Sequence, residues 1–187
     1  MKIRIVRGLL IAAVLFASAV SVSAQSLKAP AGPVILTVTG KIAQTNRGPF
    51  DPDNDLLFKN TQVTFDRAAS FDLAMLESLG MRKIQADYPQ GGPLHTFEGP
   101  LLRDVLKAAG AGGDVVKVSA LDGYTQEIPM RELEQWPVVL AVKRDGAYLA
   151  LGGFGPSWVA FPRRDIPALA DRNDDKWVWG IVHIAVE

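Results

Sequence analysis

The sequence predicts an α+β fold, mostly β, built as a single domain. Eight or nine short runs of alternating or β-branched apolar residues stand against two or three short helical patterns. The two kinds interleave without the regular strand–helix rhythm of a parallel sheet covered by helices. After an N-terminal leader, 163 of the 187 residues remain, which suits one domain with one core.

Residues 1–24 read as a cleaved signal peptide. Lys2, Arg4 and Arg7 form a basic head, an apolar run extends from Leu9 to Ala17, and Val22-Ser23-Ala24 offers small residues before Gln25. The run is too short for a membrane span. No arginine pair occurs in the head, which points to the plain secretory route and a periplasmic protein that folds after export. Residues 25–33 form a linker, and 34–187 the domain.

Along that domain, "VILTVTGKI" (Val34 to Ile42) alternates β-branched residues after Pro33 and reads as a strand. Ala43 to Asn60, rich in Asn, Asp, Gly and Pro, reads as an irregular loop, and Thr61 to Phe65 as a strand. Ser70 is the expected cap of a short helix that buries Phe71, Met75, Leu76 and Leu79 and stops at Gly80. Met81 to Tyr88 and Leu94 to Phe97 read as strands about a Gly/Pro loop. Pro100 then opens a helix with Leu101, Val105 and Leu106 on its apolar stripe, ended by Gly110.

Val115 to Ala120 and Tyr124 to Ile128 form a hairpin about Asp122-Gly123. One helical turn follows Pro129. Val138 to Lys143 and Tyr148 to Leu151 flank Arg144-Asp145-Gly146 as a second hairpin, and Ser157 to Phe161 is a further strand. Trp177 to Val186, apolar on both faces, is the expected central strand.

Composition excludes several functions. The chain has 20 basic and 20 acidic residues, and removal of the leader leaves 17 against 20, or −3. No basic stripe marks a nucleic-acid partner. There is no cysteine, so disulfides, thiol catalysis and thiolate ligation are impossible. The two histidines, His95 and His183, lie far apart without spaced acidic partners, so no metal site is expected. His183, inside the last strand, reads as a core residue, whereas His95 borders a loop and is open to function. No G-x-S-x-G elbow or Walker loop occurs, "GGFGP" (Gly152 to Pro156) reads as a strand-joining loop, and no catalytic residues are expected.

What remains is a set of polar groups at the ends of apolar strands: Tyr88, His95, Thr96, Asp122, Tyr124, Arg163, Arg164 and Asp165. Trp158 and Phe161 supply aromatic surface nearby in sequence. Such a mixture suits a flat polar heterocycle: rings stack on aromatic faces, a carboxylate accepts from an amidine-like edge, and arginine donates to carbonyl or phosphate oxygens. The residues alone leave a second reading of Arg163-Arg164-Asp165, a solvated turn with local ion pairs.

Five segments, "HTFEGPLLRDVLKAAGA", "VSALDGY", "IPMREL", "VKRDGAYLALGGFGPSWVAFPRRDIPAL" and "WVWGIVHIAVE", come in the order seen in the sulfite-oxidase-like molybdopterin-binding domain. The resemblance covers about Val34 to Glu187 and is nearest to small secreted bacterial members. The family's catalysts hold molybdenum by one cysteine before the "FEG" helix. The matching stretch here, "IQADYPQGGPLHTFEG", has none. Some cysteine-less relatives of this kind act as periplasmic pterin-binding proteins.

The resemblance therefore implies a non-catalytic binder of a small reduced pterin. Its partner is expected to be the periplasmic domain of a membrane-bound diguanylate cyclase/phosphodiesterase receptor, which controls cyclic-di-GMP turnover. No tightly bound cofactor is expected, and molybdopterin is the less favoured ligand. The alternatives are a molybdopterin-dependent oxidoreductase or its subunit, and an interaction scaffold with no ligand. By position in the matching segments, Asp122 or Asp165 grips the pterin edge and Arg163 or Arg164 meets a carbonyl or hydroxyl. Tyr88, Phe97, Tyr124, Trp158 or Phe161 stacks on the ring, with His95 beside the same loop. On this resemblance, Arg163-Arg164-Asp165 lines a pocket.

Overall fold

A computed structural model describes residues 27–187. The expected signal peptide and the first residues of the linker lie outside the described residues. The fold is α+β and mostly β.

Strand β1 (Val34–Gly40) lies inside a five-stranded sheet with β2 (Ala69–Asp72), β5 (Val115–Ala120), β6 (Thr125–Pro129) and β11 (Ile181–Val186), in the order β2-β1-β11-β5-β6. β1 and β11 run parallel, and the other pairings in this sheet are antiparallel. A second sheet joins β3 (Arg82–Asp87), β4 (Leu94–Gly99), β8 (Lys143–Arg144) and β9 (Ala147–Tyr148) in the order β3-β4-β8-β9. β7 (Val139–Ala141) pairs with β10 (Trp158–Ala160), and bonds from Leu140 N to Pro100 O and from Val142 N to Glu98 O tie this pair to the end of β4.

The burial patterns explain the placement. β5 alternates, with Val116, Val118 and Ala120 inward, so one face meets the core. β1 and β11 are covered on both faces, as the unbroken apolar character of the last segment requires. Helix α3 (Leu102–Ala108) buries Leu102, Val105 and Leu106. Helix α4 (Met130–Gln135) follows Pro129 and buries Leu133. One apolar cluster runs through all three sheets.

Several expectations are corrected. The last strand begins at Ile181, because Trp177–Gly180 are held across β10 rather than along β11. Val159 N donates to Val178 O, and Gly180 N to Phe154 O. Thr61–Phe65 is not a strand, and the preceding loop contains helix α1 (Leu56–Asn60). Ser70 lies in β2. The cap of α2 (Leu73–Ser78) is Asp72, whose Oδ1 accepts from Met75 N at 2.8 Å. Its Oδ2 accepts from Ala31 N and Gly32 N at 2.7 and 2.8 Å, so one carboxylate fixes both the helix start and the entering chain.

Both Asp-Gly turns form as expected. Asp145 and Gly146 have φ of 51° and 83°, the left-handed pair that a two-residue hairpin demands. The first hairpin closes through a bond from Ala120 N to Tyr124 O, with Gly123 at φ 87°.

Candidate functional site

The chain beyond β10 is pinned by a buried arginine. Arg163 Nε donates to Asp87 Oδ1 at 2.9 Å, and its Nη1 to Arg172 O and Asp174 Oδ1, each at 2.7 Å. Its guanidinium lies 4.8 Å from the Trp177 ring centroid. Arg172 and Lys176 both pair with Glu132 of α4, and Gln90 N donates to Asp174 Oδ2. Burial pushes the Glu132 carboxyl up, but Lys176 and Arg172 outweigh it and hold it below its ordinary value. These bonds fix the loop 170–176 against the end of β3, which sets Trp177 and the residues after it.

A pocket of about 330 Å³ opens where that loop meets the β5–β6 hairpin and Tyr88. Trp177 and Trp179 come from the loop, Tyr88 follows β3, and Asp122 and Tyr124 belong to the hairpin. Asp174 and Asp175 complete its acidic side. A bond from Leu121 N to Gly180 O draws the hairpin to the loop, and Tyr124 Oη donates to Asp175 O at 3.0 Å. Trp158 Nε1 donates to Trp177 O, which fixes the indole from behind. Tyr88 packs edge-on against Trp158 at 4.7 Å and is stacked on Trp177 at 5.7 Å. Burial, reinforced by the Asp174 carboxylate, holds the Tyr88 phenol above its ordinary value, so it stays neutral.

Two features make this pocket chemically directional. Trp177 is 2% exposed, and its indole N–H has no acceptor among the described residues. A buried N–H without a partner is costly. Asp122, exposed at the mouth, uses Oδ1 on Tyr124 N at 2.9 Å, while Oδ2 makes no hydrogen bond among the described residues. The pocket thus combines carboxylate acceptors with aromatic walls, and an unpartnered indole N–H lies buried in one of those walls.

Of the residues expected from sequence, Tyr88, Asp122 and Tyr124 are brought together here. Phe97, Trp158 and Phe161 are fully buried and do not line this pocket, and they act as the packing behind its wall. Arg163 spends its donors on the fold. Arg164 is exposed and lines a separate cleft with Asp87, Gly91 and Leu94. Asp165 is exposed and lies within 3.4 Å of Gln85 N, in another shallow cleft. His95 sits apart, its Nδ1 2.7 Å from Asp145 Oδ2, whose other oxygen accepts from Thr96 N.

Sequence reasoning missed Trp177, Trp179, Asp174 and Asp175. Their signal was the run "DRNDDKWVW", where four carboxylate or amide residues precede two indoles.

A second cleft, of about 380 Å³, lies between α1 and the same hairpin. It shares Ala120 and Asp122 with the aromatic pocket and includes His183. His183 is 5% exposed, and burial lowers its pKa to about 4.

Among the described residues, no group of three His, Asp or Glu side chains could hold a metal ion. Molybdopterin does not fit the aromatic pocket: its phosphate needs cations and its metal a thiolate, whereas the lining carries three carboxylates and no Lys or Arg. No described helix is long and apolar enough to cross a membrane. No family model matches the chain, and no curated protein matches it significantly.

Proposed function

We propose that this protein is a non-catalytic periplasmic binding protein for a small pterin, read by the periplasmic domain of a membrane receptor that controls cyclic-di-GMP turnover. The observation that carries the ligand is a pocket walled by Tyr88, Tyr124, Trp177 and Trp179 with the Asp122 carboxylate at its mouth, beside an indole N–H of Trp177 that has no partner among the described residues. A pterin presents a carbonyl beside a ring N–H and an amino group. The indole donates to that carbonyl, and the free oxygen of Asp122 accepts from the nitrogen edge. Tyr88, Tyr124 and Trp179 enclose the ring. The sequence resemblance, with its missing cysteine and its secretory leader, supports the same ligand class and the receptor partner.

The partner would meet the pocket mouth. Tyr124 (46% exposed) and Trp179 (40%) border it, and exposed aromatics of this kind anchor protein interfaces. A receptor that covers the mouth senses whether the ring is in place.

Calorimetric titration of the purified, metal-free chain with tetrahydropterin and oxidised pterin tests the proposal. Saturable one-to-one binding is expected, weakened about tenfold or more in Asp122→Asn, which loses the charge-assisted bonds. A folded chain that binds neither reduced nor oxidised pterin overturns it.

A further inference from the structure

One face of the molecule carries an apolar knob and an apolar hole side by side. Pairing of β1 with β11 begins at Thr37 and His183, and the register of β11 against β5 is irregular between Ile181 and His183. Val34, Ile35 and Leu36 therefore precede the parallel ladder, and a groove of about 320 Å³ opens beside them. Leu57, Leu121, Pro156 and Val182 are among the apolar residues that close it. Its rim includes Leu151, which at 69% is the most exposed large hydrophobic residue among those described. Val34 and Leu121 are exposed on the same rim.

Leu151 is held outward by the loop between β9 and β10. Gly153 N and Gly155 N both donate to Ala150 O at 3.1 Å, and Gly152 takes a φ of 90°, so the backbone folds tightly behind the side chain. A knob fixed in advance loses little freedom when a partner buries it. Clustered exposed apolar residues mark an interaction surface. Their arrangement identifies the partner. Under a two-fold axis a patch meets its own copy, so a knob needs its hole on the same face. The same axis brings each charge towards its own copy, and like charges oppose association. Arg47, the one charged residue lining the groove, is already paired with Asp55.

We propose that this face binds a second copy of the chain, forming a two-fold dimer in which Leu151 of each protomer enters the other's groove beside Val34 and Val182. The groove shares no lining residue with the aromatic pocket, so the dimer keeps both of its aromatic pockets and the inference stands independently of the pterin reading.

Sedimentation equilibrium of the purified chain without ligand tests it. A dimer with a Kd on the order of 10 µM is expected, as suits a small interface. Leu151→Glu and Val34→Lys should each raise that Kd at least about tenfold. The thermal midpoint should stay in place, because these side chains belong to residues that are 69% and 45% exposed. Mixing the two variants should recover a heterodimer. The new carboxylate of one chain then faces the new ammonium of the other, while the second knob remains a native leucine in a native groove. In a sample of carbon-13-labelled and unlabelled chains, intermolecular contacts should join the methyls of Leu151 and Val182. A chain that stays monomeric to about 500 µM overturns the inference and leaves this face to a different protein. A dimer indifferent to both substitutions, or variants that do not recover on mixing, overturns it as well.

Discussion

Replacing Arg163 with methionine keeps most of the apolar stem and removes the guanidinium. The variant loses charge-assisted bonds to Asp87 and Asp174, a bond to Arg172 O, and the contact over Trp177. Removing one partner of a fully buried ion pair costs about 3–5 kcal/mol. Here the arginine side chain is 2% exposed but the Asp87 and Asp174 side chains are 26% and 25% exposed, so water relieves part of their loss. We therefore expect roughly 3 kcal/mol of destabilisation, at the lower end of that range. For a domain of this size that lowers Tm by about 6–12 °C.

Urea denaturation provides the assay, with the midpoint falling and the m-value unchanged. There is also a pH signature. Burial pushes the Asp87 carboxyl up, but the Gly91 N–H and Arg163 outweigh it and hold it below its ordinary value of 3.8. A depressed carboxylate contributes stability above its unfolded pKa, and that stability is lost as pH falls through the folded one. The wild type should lose this contribution below pH 3.8, and Arg163→Met should have less to lose there. A change in stability under about 1 kcal/mol, within the range of an exposed ion pair, would refute the assignment of Arg163 as the anchor of this loop.

Asp72→Ala should destabilise the fold by about 2 kcal/mol, because one carboxylate both caps α2 and holds the backbone at Ala31 and Gly32; chemical denaturation measures it. His183 supplies a second acid limb. Its pKa falls to about 4 on burial, so the neutral form contributes stability fully above the unfolded value near 6.5 and loses it between there and 4. At 1.36 kcal/mol per unit this amounts to roughly 3 kcal/mol. A stability–pH profile of the wild type should slope through that window, and His183→Gln should flatten it. Gly99→Ala should be strongly destabilising, since its Cβ would fall 2.0 Å from Leu140 O; failure to shift the thermal midpoint would contradict the close approach of β4 to the residues leading through β7.

The fold was legible where local chemistry decides it. The alternation of Val116, Val118 and Ala120 and the Asp-Gly turns are written in adjacent residues, and they form as read. Ser70 misled because hydroxyl and carboxylate caps compete within two positions, and only the distant backbone at Ala31 and Gly32 shows why Asp72 takes the role. The site was half legible. Tyr88, Asp122 and Tyr124 stand out as polar or aromatic groups at strand ends. Trp177 and Trp179 were hidden inside what reads as one long apolar strand, and Asp174 inside an acidic loop. Arg163 looked like a ligand clamp because its partners, Asp87 and Asp174, lie 76 and 11 residues away. Its burial is a tertiary fact that no local pattern announces.

The most direct test of the central claim follows indole N–H and backbone amide signals of the nitrogen-15-labelled, metal-free protein as tetrahydropterin is added. The account predicts that the Trp177 indole proton moves and gains protection from solvent exchange, together with the amides of Asp122, Tyr124 and Trp179, while those around His95 and Asp145 stay in place. Shifts confined to the Arg164 and Gly91 cleft, or a Trp177 signal unmoved at saturation, would contradict it.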